Sequence, residues 1–215
     1  MTQLHEKYRP QTWKDVRGQK PAMRRLQCLA KRKNLTGRAY WLSGPSGTGK
    51  TTIARLIGRE VADESNIEEI DATDLSAAAI RELEKGSYCR RLGSRPGLAI
   101  IINEAHGLNK AAVRQLLTTL ERIPGHVVWI FTTTTEGQQS LFAGIDAHPL
   151  LSRCVNLPMQ SGEKLTHSFA AHALEIARSE QLDGQPMAAY VELMEHCQNN
   201  LRAALTEIES GAMLA

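Results

Sequence analysis

The hydrophobic positions of this chain follow two rhythms, one before Pro158 and one after it. In the first part, short apolar runs alternate with segments of helical period. Ala39–Leu42 and Leu98–Ile102 are apolar throughout, and "HVVWIFTTTT" at 126–135 carries a third such run. Runs of this length predict buried strands. Five strands are expected, near 39–43, 67–71, 98–102, 127–133 and 154–157. Between the strands, Ile53, Leu56, Ile57 and Val61 recur at helical spacing, and Asp74 to Gly86 reads as a helix. Strands alternating with helices predict an α/β fold, a parallel five-stranded sheet flanked by helices.

After Pro158 the pattern becomes wholly helical. Leu165, Phe169, Ala173 and Ile176 share one face, and Met187, Tyr190, Met194 and Cys197 suggest a second short helix. Leu201, Leu205 and Ile208 mark a third, with Asn199 or Asn200 as its cap. The expected organisation is an α/β domain over residues 1–158 and a small three-helix lid over 159–215.

Composition narrows the class without choosing a function. A hydrophobic fraction of 42% over 215 residues is ample for a core. The net charge of +3 permits a nucleic-acid partner but does not require one. Cys28, Cys89, Cys154 and Cys197 form no C-x-x-C pair, which predicts reduced thiols and neither a zinc site nor a disulfide frame. No apolar run approaches a membrane span, and "MTQLHEKYRP" has no apolar signal core. A cytoplasmic protein with no membrane partner is expected.

Chemistry enters with "GPSGTGKT". Gly44, Pro45, Ser46, Gly47, Thr48, Gly49, Lys50 and Thr51 match G-x-x-x-x-G-K-[ST], between an expected strand and an expected helix. That is the context the motif requires. Glycines let backbone amides curl around phosphates, and the helix N-terminus adds its dipole. Lys50 would reach the β and γ phosphates of a nucleotide, and Thr51 would set its hydroxyl on Mg²⁺. The run Leu98–Ile102 then ends in Asn103 and Glu104. Glu104 is the candidate that activates a water; the alternative is a strand-end acid capping the helix near Asn109. His106 reads as structural. The threonines ending the 126–135 run either lie beside the phosphates or are merely β-branched strand formers.

Five separated segments then resemble one family, the AAA+ ATPases of the clamp-loader group, which includes replication factor C small subunits and the bacterial γ/τ subunit. "EKYRPQTWKDVRGQ" is similar to the group's adenine-wrapping opening segment, "GPSGTGKTT" to its Walker A and "IEEIDATDLSAAAIREL" to its second strand and following helix. "PLLSRCVNL" carries a Ser-Arg-Cys at 152–154, and "NNLRAAL" resembles its sensor 2. The likeness runs from Glu6 to about Ile208. It implies an ATPase using ATP and Mg²⁺, working in a homo- or hetero-oligomer of AAA+ subunits, with a sliding clamp and DNA as partners in replication or repair. Tyr8, Arg9 and Val16 would line the adenine pocket, and Thr52 would continue the nucleotide loop. One of Thr133 to Thr135, with Thr134 the first choice, would be sensor 1, Arg202 sensor 2, and Arg153 an arginine finger acting on a neighbouring subunit's ATP.

Two departures qualify that expectation. Asn103 stands where the family usually has an aspartate beside Mg²⁺, so a slow ATPase is expected, or an ATP-binding scaffold with little hydrolysis. The chain also stops just after the sensor 2 motif, where relatives usually continue into a helical collar. An AAA+ regulator of DNA transposition or branch migration is a further alternative. For DNA, Arg81, Lys85, Arg90, Arg91 and Arg95 cluster on and after the 74–86 helix, although Glu82 and Glu84 interleave and also fit a solvated mixed-charge face.

Overall fold

The computed structural model describes residues 2–32, 35–144 and 147–214. In chain order the elements are α1 (Leu4–Lys7), α2 (Lys20–Lys31), β1 (Arg38–Ser43), α3 (Lys50–Val61), β2 (Ile67–Asp71), α4 (Ala77–Ser87), β3 (Leu98–Asn103), α5 (Lys110–Thr119), β4 (Val127–Thr133), α6 (Thr135–Gly144), α7 (His148–Ser152), β5 (Cys154–Pro158), α8 (Glu163–Ser179), α9 (Met187–His196) and α10 (Leu201–Glu209). The chain divides into two compact units. One comprises Arg24–Ser43 and Lys50–Pro158; the other gathers Met1–Met23, Gly44–Gly49 and Met159–Ala215.

The first unit is built on a five-stranded sheet of order β2-β3-β4-β1-β5. Every pairing is parallel. The expected strands therefore form, each within a residue of its expected bounds. Residues of β3 from Leu98 to Ile102 and all of β4 are buried, as unbroken apolar runs in a parallel sheet require. On one face Trp41, Trp129 and Phe131 stack, with ring centroids 5.5 Å apart for Trp41–Phe131 and 6.5 Å for Trp129–Phe131. Ile80 of α4, Val113 and Leu116 of α5 and Leu150 of α7 complete that core. Each fully buried side chain of this size is worth about 1.5–3 kcal/mol.

The opposite face of β2 and β3 belongs to α3. A Cβ added at Gly58 would lie 3.3 Å from Ile67 Cδ1 and 3.4 Å from Ala99 Cβ, so the helix backbone comes close here. Side chains alternate along a strand. Glu69 and Asp71 of β2 thus share the α3 face with Ile101 and Asn103 of β3, whose register pairs Glu69 with Ile101 and Asp71 with Asn103.

The second unit has a helical core. Leu165, Phe169, Ala173 and Ile176 are all buried on α8. They pack with Tyr190 and Met194 of α9, Leu205 and Ile208 of α10, and Leu4 of α1. Asn200 is the cap of α10, its side chain accepting from the Ala203 amide at 3.2 Å. Among the described residues no helix is long and apolar enough to cross a membrane.

Candidate functional site

The glycine-rich loop follows β1 along the chain and leads into α3. Gly47 and Gly49 have φ of 70° and 94°, a region that glycine alone enters freely. At Gly47 an added Cβ would fall 1.9 Å from Asn200 Oδ1, so the cap of α10 rests against the loop itself. Within the loop the Thr48 hydroxyl donates to the Pro45 carbonyl at 2.8 Å. Gln19 braces it from the N-terminal segment. Its amide nitrogen donates to the Thr48 carbonyl at 3.3 Å, and its oxygen accepts from the Gln160 amide at 2.7 Å. Lys50 opens α3 and is 7% exposed, while Thr51 and Thr52 are half-buried. The first turn of α3 leaves backbone amides without intrahelical partners, a ready-made anion site.

The strand ends supply the acid. Glu104 leaves β3 with φ 49° and ψ 50°, in the left-handed region. For a residue with a Cβ this conformation costs about 1–2 kcal/mol. A short turn closed by the Gly107 amide on the Glu104 carbonyl, at 2.8 Å, holds it there. The capping alternative for Glu104 is not realised, because Asn109 caps α5 with its own side chain, at 2.9 Å from the Ala112 amide. The Glu104 carboxylate instead lies 3.4 Å from His106 Nδ1, and that nitrogen is 3.4 Å from the Thr133 hydroxyl. His106, read from sequence as structural, thus stands between the acid and the end of β4. Thr134 accepts from the Gly137 amide at 3.0 Å and so caps α6.

Asn103 is held on both sides. Its amide nitrogen donates to Glu69 Oε1 at 2.6 Å, and its carbonyl oxygen accepts from the Thr132 hydroxyl at 3.0 Å. Glu69 also pairs with Arg55 of α3 at 2.8 Å. The sequence reading missed Glu69 and Thr132. Strand alternation in "IEEID", once β2 is placed beside β3, is the signal that finds Glu69.

At the N-terminal segment, Tyr8 and Arg9 line an open cleft with Pro10, Gln11, Asp15, Arg17 and His172, whereas Val16 is half-buried outside that lining. Tyr8 donates its hydroxyl to Glu180, which raises the pKa of the phenol, with burial adding to the effect. Hydrogen bonds from Lys7 and then Tyr8 hold the Glu180 carboxyl below its ordinary range. Burial lowers the pKa of His172.

Arg153 follows α7 and is bound in its own unit. Nε and Nη2 donate to Glu121 Oε1 at 3.2 and 2.5 Å, and Nη1 to the Pro149 carbonyl at 2.8 Å. Cys154 beside it is pushed up to about 12 by burial, an inert thiol. Arg202, the second residue of α10, is exposed. Most of the basic cluster is also engaged locally. Arg81 donates to Gln115 at 3.0 Å, Lys85 pairs with Glu82 at 2.8 Å and Arg91 with Glu68 at 3.2 Å. Arg95 donates to the Arg59 carbonyl, and Arg90 is exposed.

Among the described residues no group of three or more His, Cys, Asp or Glu could hold a metal alone. The Thr51 hydroxyl and the Asn103 carbonyl are hard oxygen donors. They fit Mg²⁺, which keeps several waters and takes its remaining oxygens from phosphates.

Comparison with known proteins identifies the family and the fold. The family model described as "ATPase family associated with various cellular activities (AAA)" matches residues 40–153, more than half of the chain. The gamma/tau subunit of DNA polymerase III from Mycoplasma genitalium is 27% identical, covering 96% of this chain and 36% of that protein. The replication factor C small subunit of Methanosarcina mazei is 26% identical, covering 97% of this chain and 60% of its own length. The chain therefore spans about a third to three-fifths of these relatives. Among solved structures, a RuvB variant of Thermotoga maritima superposes with a TM-score of 0.71 at 21% identity, over 94% of this chain and 64% of that one. That likeness is one of fold.

Proposed function

Since the chain belongs to the AAA family of ATPases, we propose that it binds ATP with Mg²⁺ and hydrolyses it slowly, as a clamp-loader-like subunit of an oligomer acting on DNA in replication or repair. The amides of the Gly44–Gly49 loop and the Lys50 ammonium take the phosphates. Tyr8, Arg9 and Val16 take the adenine. Thr51 and Asn103 would hold Mg²⁺, which supplies positive charge at the β and γ phosphates. Glu104 accepts the proton of the attacking water, with Thr134 positioning it. Arg202 contacts the γ-phosphate, and Arg153 reaches a neighbouring subunit's ATP. A sliding clamp is the partner this assignment implies, with Arg81, Lys85, Arg90, Arg91 and Arg95 toward the DNA backbone.

The observation that supports this reading most is Glu104. An acid in a left-handed backbone at the carboxyl end of a parallel strand is stored strain, and such strain collects at functional sites. The test is ATP turnover at several protein concentrations, with and without primed DNA. Glu104→Gln is expected to slow it by about 10²- to 10⁴-fold while ATP still binds. The uncharged Asn103 favours one alternative, an ATP-binding scaffold. Wild-type protein that binds ATP but shows no turnover at saturating Mg²⁺ and DNA would establish that alternative instead.

A further inference from the structure

The acid missing at position 103 is matched by one on the neighbouring strand. Glu69 lies on the α3 face of β2, and its carboxylate reaches the Asn103 amide at 2.6 Å. An ionised carboxylate only accepts hydrogen bonds. The Asn103 amide must therefore turn its nitrogen to Glu69 and its oxygen away, toward Thr132 on β4. The Thr132 hydroxyl could serve either rotamer of the amide, because it both donates and accepts. Glu69 alone decides which end of the asparagine faces outward. Arg55, at 2.8 Å from Glu69, fixes that carboxylate in turn from α3, the helix that begins with Lys50 and Thr51.

We infer that Glu69 is a positioning residue of the nucleotide site: it locks Asn103 with the carbonyl oxygen presented to the Mg²⁺ side, and carries on β2 the negative charge that the end of β3 lacks. This rests on the nucleotide reading above. The inference reverses the expectation for Asn103→Asp. On sequence alone that change restores a charge and helps. Beside Glu69 it sets two carboxylates 2.6 Å apart and removes the only donor between them. The productive exchange is the double one, Asn103→Asp with Glu69→Gln, which rebuilds the same hydrogen bond with its polarity reversed.

A double-mutant cycle tests this, because residues in one network do not add. Two quantities are measured on the purified protein: the melting temperature without ligand, and the Mg²⁺ concentration giving half-maximal ATP binding. Each single change is expected to lower the melting temperature by a few degrees and to raise the Mg²⁺ midpoint by about five- to tenfold, the difference between a charged and a neutral hydrogen bond. The double variant should recover most of both. Glu68→Gln is the control. It removes a salt-bridged acid from the same strand but from the opposite face, and should leave the Mg²⁺ midpoint in place. Purely additive changes, or a lowered melting temperature with an unmoved Mg²⁺ midpoint, would make Glu69 a structural contact and overturn the inference. Wild-type protein that binds no ATP at any Mg²⁺ concentration would overturn the nucleotide reading itself, and the inference with it.

Discussion

Arg153 and Arg202 carry the same guanidinium in opposite circumstances. Arg153 is tied down three times, to Glu121 through two nitrogens and to the Pro149 carbonyl through a third. Its side chain is 30% exposed. Arg202 stands exposed on the first turn of α10, and its side chain has no partner among the described residues. A tethered arginine reaches phosphate only by exchanging one anion for another. A loose one comes directly from water and has only side-chain entropy to lose. The exchange is not expensive, because a half-exposed ion pair is worth about 0.2–1 kcal/mol. The pair with Glu121 thus orients the guanidinium without holding it hard. On the proposed reading, such a tether would keep a group meant for a neighbouring subunit ordered until that subunit arrives.

The most direct way to break this contrast is to delete each arginine. Arg153→Ala is expected to cut turnover by about 10³-fold or more with ATP affinity unchanged, the range for a finger acting across an interface. Mixing it with Glu104→Gln subunits should restore part of the rate, because one type of interface keeps both groups. Co-assembled mixtures with no recovery at any ratio would remove the trans role. Arg202→Ala should act within the subunit instead. Loss of a charged hydrogen bond of about 1.5–3 kcal/mol predicts roughly ten- to hundredfold weaker ATP binding, read by titration, with no rescue on mixing. The smallest effect sharpens the comparison. Glu121→Gln, which removes the charge of the tether but leaves an amide oxygen and the Pro149 carbonyl as acceptors, should leave the melting temperature within about a degree or two and raise turnover at low protein concentration by less than about fivefold. A loss as large as that of Arg153→Ala would show that the two residues act as one unit.

The same contrast explains what the sequence could and could not carry. Strand and helix positions were legible because they rest on periodicity, and Leu98–Ile102 or Leu165–Phe169–Ala173–Ile176 contain their own period. The α10 cap was legible to within one residue, as Asn199 or Asn200, because capping is local, and Asn200 fills it. The loop motif was legible because glycine spacing encodes backbone shape. Pairings between distant segments were not. Glu121 lies 32 residues from Arg153, and Glu69 lies 34 from Asn103. Nothing in "IEEID" says which residue of β3 it will face until the register is known. The neighbours of His106 were hidden for the same reason, since Thr133 comes from β4. The grouping of the first 23 residues with the C-terminal helices is likewise tertiary, carried by contacts such as Leu4 against the α10 core.

Gly47 has an evolutionary consequence. In G-x-x-x-x-G-K-[ST] its position is one of the free ones, so the motif places no demand there. In this molecule the demand comes from Asn200, whose side chain fills the space a Cβ would need, and from a φ of 70°. The constraint is thus inherited from a residue more than 150 positions away. Among relatives, a larger residue at 47 should be found only where 200 has become smaller or the α10 cap has moved. A lineage that changes one without the other should be rare. Aligned homologues would show the two positions drifting together, a covariation linking the glycine-rich loop to the start of α10.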